Sequence, residues 1–346
     1  MIEKLDENLT NGIALFGAGQ NGVWCLDYLL KNDFKVSYFI DNSKDRQGTY
    51  IKGVPVISYG EFLNKNINLP ILITAKHAVI QIQNLLKDYP LKISFDAWFY
   101  HKNKKDYDRV RNLLYDEKSK IVLDNIIKTM QTGNENYCAE IAETNQYFCV
   151  PHFFNTGNEV FVDLGAYVGD TIEKFIQSQN GGFRHIYAFE IGNKQLQACK
   201  KRIKRLIDEW ALHENSITLE NMGIGINEET LYLKESQSLL STTLENNIDN
   251  GDKTSVVNIT TVNKYFKNIP ISFIKADIEG SEIDMLKGAT EIIKRDNPKL
   301  ALSVYHRPDD LINSVEILHK LNSDYKFILR HHSALLMDTT LYCWVK

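Results

Sequence analysis

Short apolar runs alternate with segments of helical periodicity along most of this chain, and the alternation restarts once near its middle. The first run, residues 13–16, reads IALF and is followed by Gly17-Ala18-Gly19-Gln20-Asn21-Gly22. A helix is predicted next, with Val23, Leu26 and Leu30 on one face. Further strands are predicted at 35–40, ending on Asp41-Asn42, and at 70–74 and 92–95. Strand, glycine turn, helix and strand in that order make a βαβ unit and imply a parallel sheet. After the charged stretch 101–109, Tyr107, Val110, Leu114 and Ile121 recur at near-helical spacing. That spacing predicts one or two connecting helices over 106–130, with a break at Gly133.

The second series begins with VFVDL at 160–164, which runs into Gly165-Ala166-Tyr167-Val168-Gly169-Asp170. A helix is predicted from Thr171, then a strand at 185–189 ending in Glu190. The next helix carries Leu196, Cys199, Ile203 and Leu206 on one face. Strands follow at 217–219, 231–233, 271–276 and 299–304. The fourth of these ends in Tyr305-His306, and the third in Asp277-Ile278-Glu279-Gly280 before a helix bearing Ile283, Leu286 and Ile293. Strands at 325–329 and 340–345 suit a closing antiparallel hairpin, giving a mostly parallel sheet with an antiparallel edge.

Length and charge narrow the function classes. A chain of 346 residues is long for one core and comfortable for two domains. Its 40 basic and 44 acidic residues offer no basic field for nucleic acid, so no nucleic-acid partner is expected. The five cysteines, Cys25, Cys138, Cys149, Cys199 and Cys343, form no C-x-x-C pair and are expected as buried small apolar groups in a reducing cytosol. The polar N-terminus carries no signal-peptide pattern, and no run of ~18 apolar residues exists to span a membrane. A cytoplasmic location is expected.

Chemistry concentrates at the ends of the second series of strands, where ligands of open α/β sheets bind. Gly165 and Gly169 allow a tight turn and close approach of backbone to ligand. Glu190, 21 residues after Gly169, stands where an acid accepts hydrogen bonds from ribose hydroxyls. The turn reads D-x-G-x-x-x-G rather than G-x-G-x-x-G, with Asp163 and Asp170 flanking it. Two carboxylates repel a pyrophosphate and attract a ligand bearing ammonium and sulfonium groups. The charge pattern therefore favours S-adenosylmethionine over NAD. Candidate bases for an acceptor proton are Asp277, Glu279 and His306. A histidine of ordinary pKa, ~6.5, is neutral enough at pH 7 to accept one. Arg330-His331-His332 is expected to line an acceptor pocket. Adjacent histidines on a strand point to opposite faces, and no i, i+4 histidine pair or cysteine cluster is present, so no metal site is expected.

These residues resemble a known family. Residues 161–171 (FVDLGAYVGDT), 188–190 (AFE), 274–282 (IKADIEGSE) and 286–289 (LKGA) are similar to the FkbM-family methyltransferases over about residues 155–346. The resemblance implies S-adenosylmethionine-dependent O-methyl transfer, frequently to sugars or natural products. It implies that Asp163, Gly165 and Gly169 hold the cofactor's amino-acid end and Glu190 its ribose. Asn263 departs from the family pattern, which commonly has Asp there.

In the first series, Gly17, Gly19 and Gly22 fit G-x-G-x-x-G between strand and helix. Asp41 lies 19 residues after Gly22, at a ribose-binding position. With Phe39-Ile40-Asp41-Asn42 and Gly53-Val54-Pro55-Val56, this part resembles small Rossmann-like domains of sugar-modifying proteins. The expected architecture is α/β with two Rossmann-like domains, the C-terminal one of class I methyltransferase type. The expected boundaries are a small domain at 1–105, a helical connector at 106–150 and the methyltransferase domain at 151–346. A small-molecule or glycan acceptor is the expected partner, and a homo-oligomer is compatible with the sequence. The rival readings are a nicotinamide-dependent oxidoreductase using the first domain, and a nucleotide-sugar-binding module without catalysis.

Overall fold

A computed structural model describes residues 11–153, 157–235, 242–245 and 254–345. The chain forms two compact units. The first comprises Met1–Glu143, Tyr305–Ile312 and Leu329–Thr339, and the second Thr144–Val304, Asn313–Ile328 and Thr340–Lys346. No helix among the described residues is long and apolar enough to cross a membrane.

The first unit is built on a six-stranded sheet. Its strands are β1 (Ile13–Phe16), β2 (Val36–Ile40), β3 (Tyr50–Ile51), β4 (Val54–Ile57), β5 (Ile71–Ile73) and β6 (Lys92–Ser94), in the order β3-β4-β2-β1-β5-β6. All pairings are parallel except that of β3 with β4. The helix Gln20–Lys31 buries Gly22, Cys25, Leu26 and Leu29, whereas Leu30 is 45% exposed. The buried stripe is thus rotated from the one expected through Val23, Leu26 and Leu30. Phe95, expected to end a strand, begins the helix Phe95–Lys102, because Ser94 caps it by accepting the Ala97 N–H.

The apolar spacing across 107–121 belongs to two helices. Tyr107 and Val110 are buried on Lys104–Leu113, and the helical phase is reset before Glu117–Thr132, leaving Ile121 exposed. Asp116 caps the second of these by accepting the Ser119 N–H, and Gly133 ends it in the left-handed conformation that glycine tolerates.

The second unit holds a four-stranded sheet and most of a seven-stranded one. The strands are β7 (Val160–Leu164), β8 (His185–Phe189), β9 (Ile217–Glu220), β10 (Gly223–Ile224), β11 (Glu229–Glu235), β12 (Thr242–Glu245), β13 (Thr254–Thr260), β14 (Phe273–Ala276), β15 (Lys299–Ser303), β16 (Lys326–His331) and β17 (Thr339–Trp344). The large sheet runs β16-β17-β15-β14-β7-β8-β9 and the small one β10-β13-β11-β12. Pairings from β9 through β15 are parallel, and β17 lies antiparallel to β15. The fold is therefore mixed α/β with mostly parallel strands. From β7 the chain proceeds to β8 and β9 on one side, then returns to β14 on the other. That reversal makes the β7/β14 boundary a topological switch point, with a crevice beyond the strands' carboxyl ends.

All five residues of β7 are buried, as a strand covered on both faces requires. Its core is aromatic: Phe161 stacks on Phe175 at 4.2 Å, and Phe273 meets Phe153 edge-on at 5.1 Å. Phe175 comes from the helix Asp170–Ser178, which also buries Ile172 and Ile176, each such side chain contributing roughly 1.5–3 kcal/mol. The helix Asn193–Glu209 buries Leu196, Cys199, Ile203 and Leu206, the face that periodicity predicts. The single helix expected through Ile283, Leu286 and Ile293 is two short ones, Glu282–Lys287 and Thr290–Asp296. Asn263 accounts for the second, since its Oδ1 accepts the N–H groups of Glu291 and Ile292 at the helix start. An aspartate would supply the same acceptor oxygen.

Candidate active site

Parallel register places Asp163 of β7 directly beside Lys275 of β14. Both side chains are buried, and the Lys275 Nζ lies 3.0 Å from Asp163 Oδ1. The same ammonium donates to the carbonyls of Gly165 (2.7 Å) and Leu164 (3.2 Å) and sits 5.3 Å from the centre of the Tyr147 ring. Burial pushes the Asp163 pKa up to about 6 against the pull of Lys275. Burial works against the Lys275 charge too, but Asp163 and then Asp277 outweigh it and hold its pKa above the ordinary value. At pH 7 the two form a charged pair. Asp163 therefore does not flank the turn as a solvent-facing carboxylate. It lies beneath the turn and reaches it through Lys275.

The turn after β7 is strongly constrained. Gly165, Tyr167 and Gly169 all have positive φ, at 78°, 49° and 82°. A Cβ on Gly165 would collide with the Asp277 carbonyl oxygen, and one on Gly169 would lie 3.0 Å from Cys199 Sγ. The N–H groups of Gly165 and Ala166 both donate to the Phe189 carbonyl, at 3.1 and 2.9 Å. Glu190, at the end of β8, accepts the Tyr167 N–H on Oε2 (2.8 Å) and the Gly192 N–H on Oε1 (2.6 Å). Burial raises its pKa, partly offset by those two N–H groups. Asp170 opens the following helix, half-exposed, with Lys174 4.0 Å away.

Beyond β14, the Asp277 N–H donates to Leu164 O (3.1 Å) and its Oδ2 accepts the Tyr147 hydroxyl at 2.7 Å. Tyr147 is buried, left-handed at φ 71°, and its hydroxyl lies 3.4 Å from Ser303 Oγ at the end of β15. Its N–H donates to the Tyr342 hydroxyl at 2.8 Å. Glu279 is exposed and left-handed at φ 55°. Glu282, buried, accepts the Ile278 N–H at 2.8 Å and so closes the loop onto its helix. Non-glycine residues in left-handed conformations cost of order 1–3 kcal/mol each and tend to cluster at functional sites. Tyr147, Tyr167 and Glu279 are three such residues around one strand end.

The structure thus brings Asp163, Gly165, Gly169, Asp170, Glu190, Asp277 and Glu279 to the carboxyl ends of β7, β8 and β14. His306 belongs to the first unit, where it is buried edge-on against Trp24 at 5.5 Å. Arg330 and His331 lie within β16 rather than after it. Arg330 pairs with Asp116 (2.7 Å) and Glu143 (3.1 Å). His331 is wholly buried, bonded through Nδ1 to Thr339 Oγ1 and through Nε2 to Leu335 O, while His332 Nδ1 meets Glu143 O. All three have their partners within the first unit.

In the first unit, Gly17 has φ 120° and a Cβ on Gly22 would collide with the Gly17 carbonyl oxygen, so both positions require glycine. Gly19 has space around it, with Arg46 Nη1 as its near neighbour. Asp41 accepts the N–H groups of Ala18 (2.7 Å) and Ser43 (2.8 Å) and pairs with Arg46. Burial tends to raise its pKa, but these donors outweigh it and hold it below the usual carboxylate value.

Lys275 and Tyr147 are the residues of this site to which motif reading assigned no role. Lys275 had a signal, a lone charge inside the buried strand FIKA. Tyr147 had none, since 130 residues separate it from Asp277.

A mostly parallel sheet with a switch point at a D-x-G-x-x-x-G turn and an acid ending the next strand defines a Rossmann-like methyltransferase. Residues 163–331 match the family model described as a methyltransferase FkbM domain. The crystal structure of a methyltransferase FkbM from Methylobacillus flagellatus KT is similar over 99% of this chain and 92% of that one, with 21% identity and a TM-score of 0.61. That likeness shows a shared fold. An rRNA methylase from Streptococcus thermophilus matches at 13% identity over 56% of this chain and 91% of that one, with a TM-score of 0.35. Fibrillarin from Aeropyrum pernix, crystallised with natively bound S-adenosyl-L-methionine, matches at 9% identity over 56% and 68%, with a TM-score of 0.34. Likeness at those two levels carries no conclusion about this chain. No curated protein matches it.

Proposed function

We propose that the second unit binds S-adenosylmethionine at the turn of residues 165–169 and transfers its methyl group to a hydroxyl of a sugar or glycan precursor. The charge around the turn is the observation that carries the cofactor reading. Asp163, Asp170, Glu190 and Asp277 surround it; against these four stand Lys275, paired with Asp163, and Lys174, 4.0 Å from Asp170, so the carboxylates outnumber the cations. Arg202, beside Gly169, is paired with Glu173. A net negative crevice suits a ligand with a sulfonium and an ammonium and repels a pyrophosphate. Glu190 has about four acceptor positions, so after taking two N–H groups it retains lone pairs for ribose hydroxyls. The sugar acceptor rests on the family resemblance.

S-adenosylmethionine, when bound, supplies an already activated methyl carbon. The chain's residues then have two tasks. Alignment of acceptor and cofactor is worth roughly 7–11 kcal/mol in favourable cases. A base that takes the hydroxyl proton adds ~10²–10⁴-fold. We assign that base to Asp277, because Tyr147 fixes the orientation of its carboxylate, with Glu279 as the alternative to test.

The first unit carries a second reading, a nucleotide or nucleotide-sugar site at Gly17, Gly19, Gly22 and Asp41. In its favour, the helix Gln20–Lys31 has no acidic residue in its first turn and no side-chain cap, which suits an anion.

Ligand-induced thermal shift tests these readings together. A ligand at 100 times its dissociation constant adds ~2.7 kcal/mol of stability. S-adenosylhomocysteine should raise the melting temperature and NADH should not. Stabilisation by NADH alone would overturn the methyltransferase reading in favour of an oxidoreductase. A UDP-sugar acting alone would favour the binding module. Labelled methyl donor with a glycan panel then identifies the acceptor.

A further inference from the structure

Lys275 is enclosed on every side that the structure records. Asp163 Oδ1 lies at 3.0 Å, the Gly165 and Leu164 carbonyls at 2.7 and 3.2 Å, and the Tyr147 ring centre at 5.3 Å. Two of these contacts fall on the backbone that leads into the cofactor turn, and a third on the tyrosine that holds Asp277. Removing one partner of a buried pair leaves the other charge uncompensated. Here it would also free two carbonyls at the point where the chain turns left-handed against Asp277.

We propose that Lys275 is the positioning residue of the cofactor turn: its ammonium, anchored by Asp163, fixes the Leu164 and Gly165 carbonyls and so preforms the surface that takes the cofactor's amino-acid end. Asp163 thereby acts at one remove, as the counter-charge of Lys275, and not as a direct ligand. The proposal rests on the cofactor reading above. It gives the D-x-G and K-x-D segments a joint role that neither shows alone.

The pair makes a prediction that a purely structural role does not. The charged groups facing Lys275 are Asp163, Asp277, Asp170 and Glu190, and those facing Asp163 are Lys275, Asp170 and Asp277, with the Cys199 thiol as a further titratable neighbour. As pH falls through about 6, Asp163 takes up a proton and the ammonium loses its counter-charge. Affinity for S-adenosylhomocysteine should then fall on the acid side of pH 6.

The test is calorimetric titration of the full chain with S-adenosylhomocysteine from pH 5 to 8. The wild type should bind at pH 7.5 and lose affinity severalfold below pH 6. Lys275→Met should bind at least tenfold more weakly at pH 7.5. Asp163→Asn, which keeps the lysine and the shape of the acid, should bind more weakly at neutral pH but without the acid-side loss. Lys275→Met binding within twofold of wild type would overturn the proposal while leaving the cofactor reading intact. Should Lys275→Met fail to fold, an undiminished acid-side loss in Asp163→Asn would overturn it. A wild type that binds no S-adenosylhomocysteine at any pH would remove the cofactor reading and this proposal with it.

Discussion

Gly165 faces the main-chain carbonyl of Asp277 so closely that no Cβ fits between them. One residue therefore ties the cofactor turn after β7 to the loop after β14, where the candidate base sits. Gly165→Ala should displace that loop and also strain a backbone with φ 78°. Left-handed strain alone costs ~1–2 kcal/mol. Gly157 supplies the control: it has φ 67°, but among the described residues nothing lies within 4 Å of its Cβ position. Gly157→Ala should lower stability only by the strain, whereas Gly165→Ala should lower it further and weaken S-adenosylhomocysteine binding at least tenfold. Urea denaturation and calorimetry measure both.

Glu190 accepts two main-chain N–H groups, and the proposed function gives it a ribose to hold as well. Glu190→Ala removes the acceptor for the Tyr167 and Gly192 N–H groups as well as the ribose contact. Cofactor affinity should fall by tenfold or more, equivalent to about 1.4 kcal/mol. Adenosine, which keeps the ribose but lacks the amino-acid end, should lose the same factor. Equal adenosine binding by wild type and variant would remove the ribose assignment.

Tyr147 bears on transfer rather than on cofactor binding. Tyr147→Phe deletes the donor to Asp277 and leaves the ring over Lys275. With an acceptor in hand, kcat should drop at least tenfold while the Kd for S-adenosylhomocysteine stays within twofold. A matched loss in both would show that the tyrosine only supports the fold.

His331 makes the first unit sensitive to acid. Burial lowers its pKa from the ordinary 6.5 to about 4. The folded state therefore resists the proton that the unfolded chain accepts. The stability held by the neutral ring is fully present above pH 6.5 and is lost as pH falls toward 4, about 3 kcal/mol in all. His331→Gln should flatten the decline in urea midpoint across that window; an unchanged slope would assign the acid sensitivity elsewhere.

Local pattern carried the strands and the turns because β7, β8, β14 and β15 are buried apolar runs bounded by glycine and acidic residues. It placed Gly165, Gly169 and Glu190 at strand ends for the same reason. It failed where tertiary contacts decide. Helix faces shifted when packing chose Cys25 and Leu29 over Val23 and Leu30. Tyr305 and His306 follow β15 in sequence but group with the first unit. Asp163 read as a rim carboxylate because periodicity does not reveal its partner: only the β7–β14 register places Lys275 beside it. The charge balance at the turn stayed negative after that revision, so the preference for a cationic cofactor survives with a different set of carboxylates.

That preference is tested most directly by equilibrium dialysis of S-adenosyl-[methyl-³H]methionine against the full chain at pH 7.5. The account predicts one saturable site per chain, displaced by S-adenosylhomocysteine, indifferent to NADH and strongly weakened by Glu190→Ala. Absence of saturable binding, or displacement by NADH with the same potency as S-adenosylhomocysteine, would contradict it.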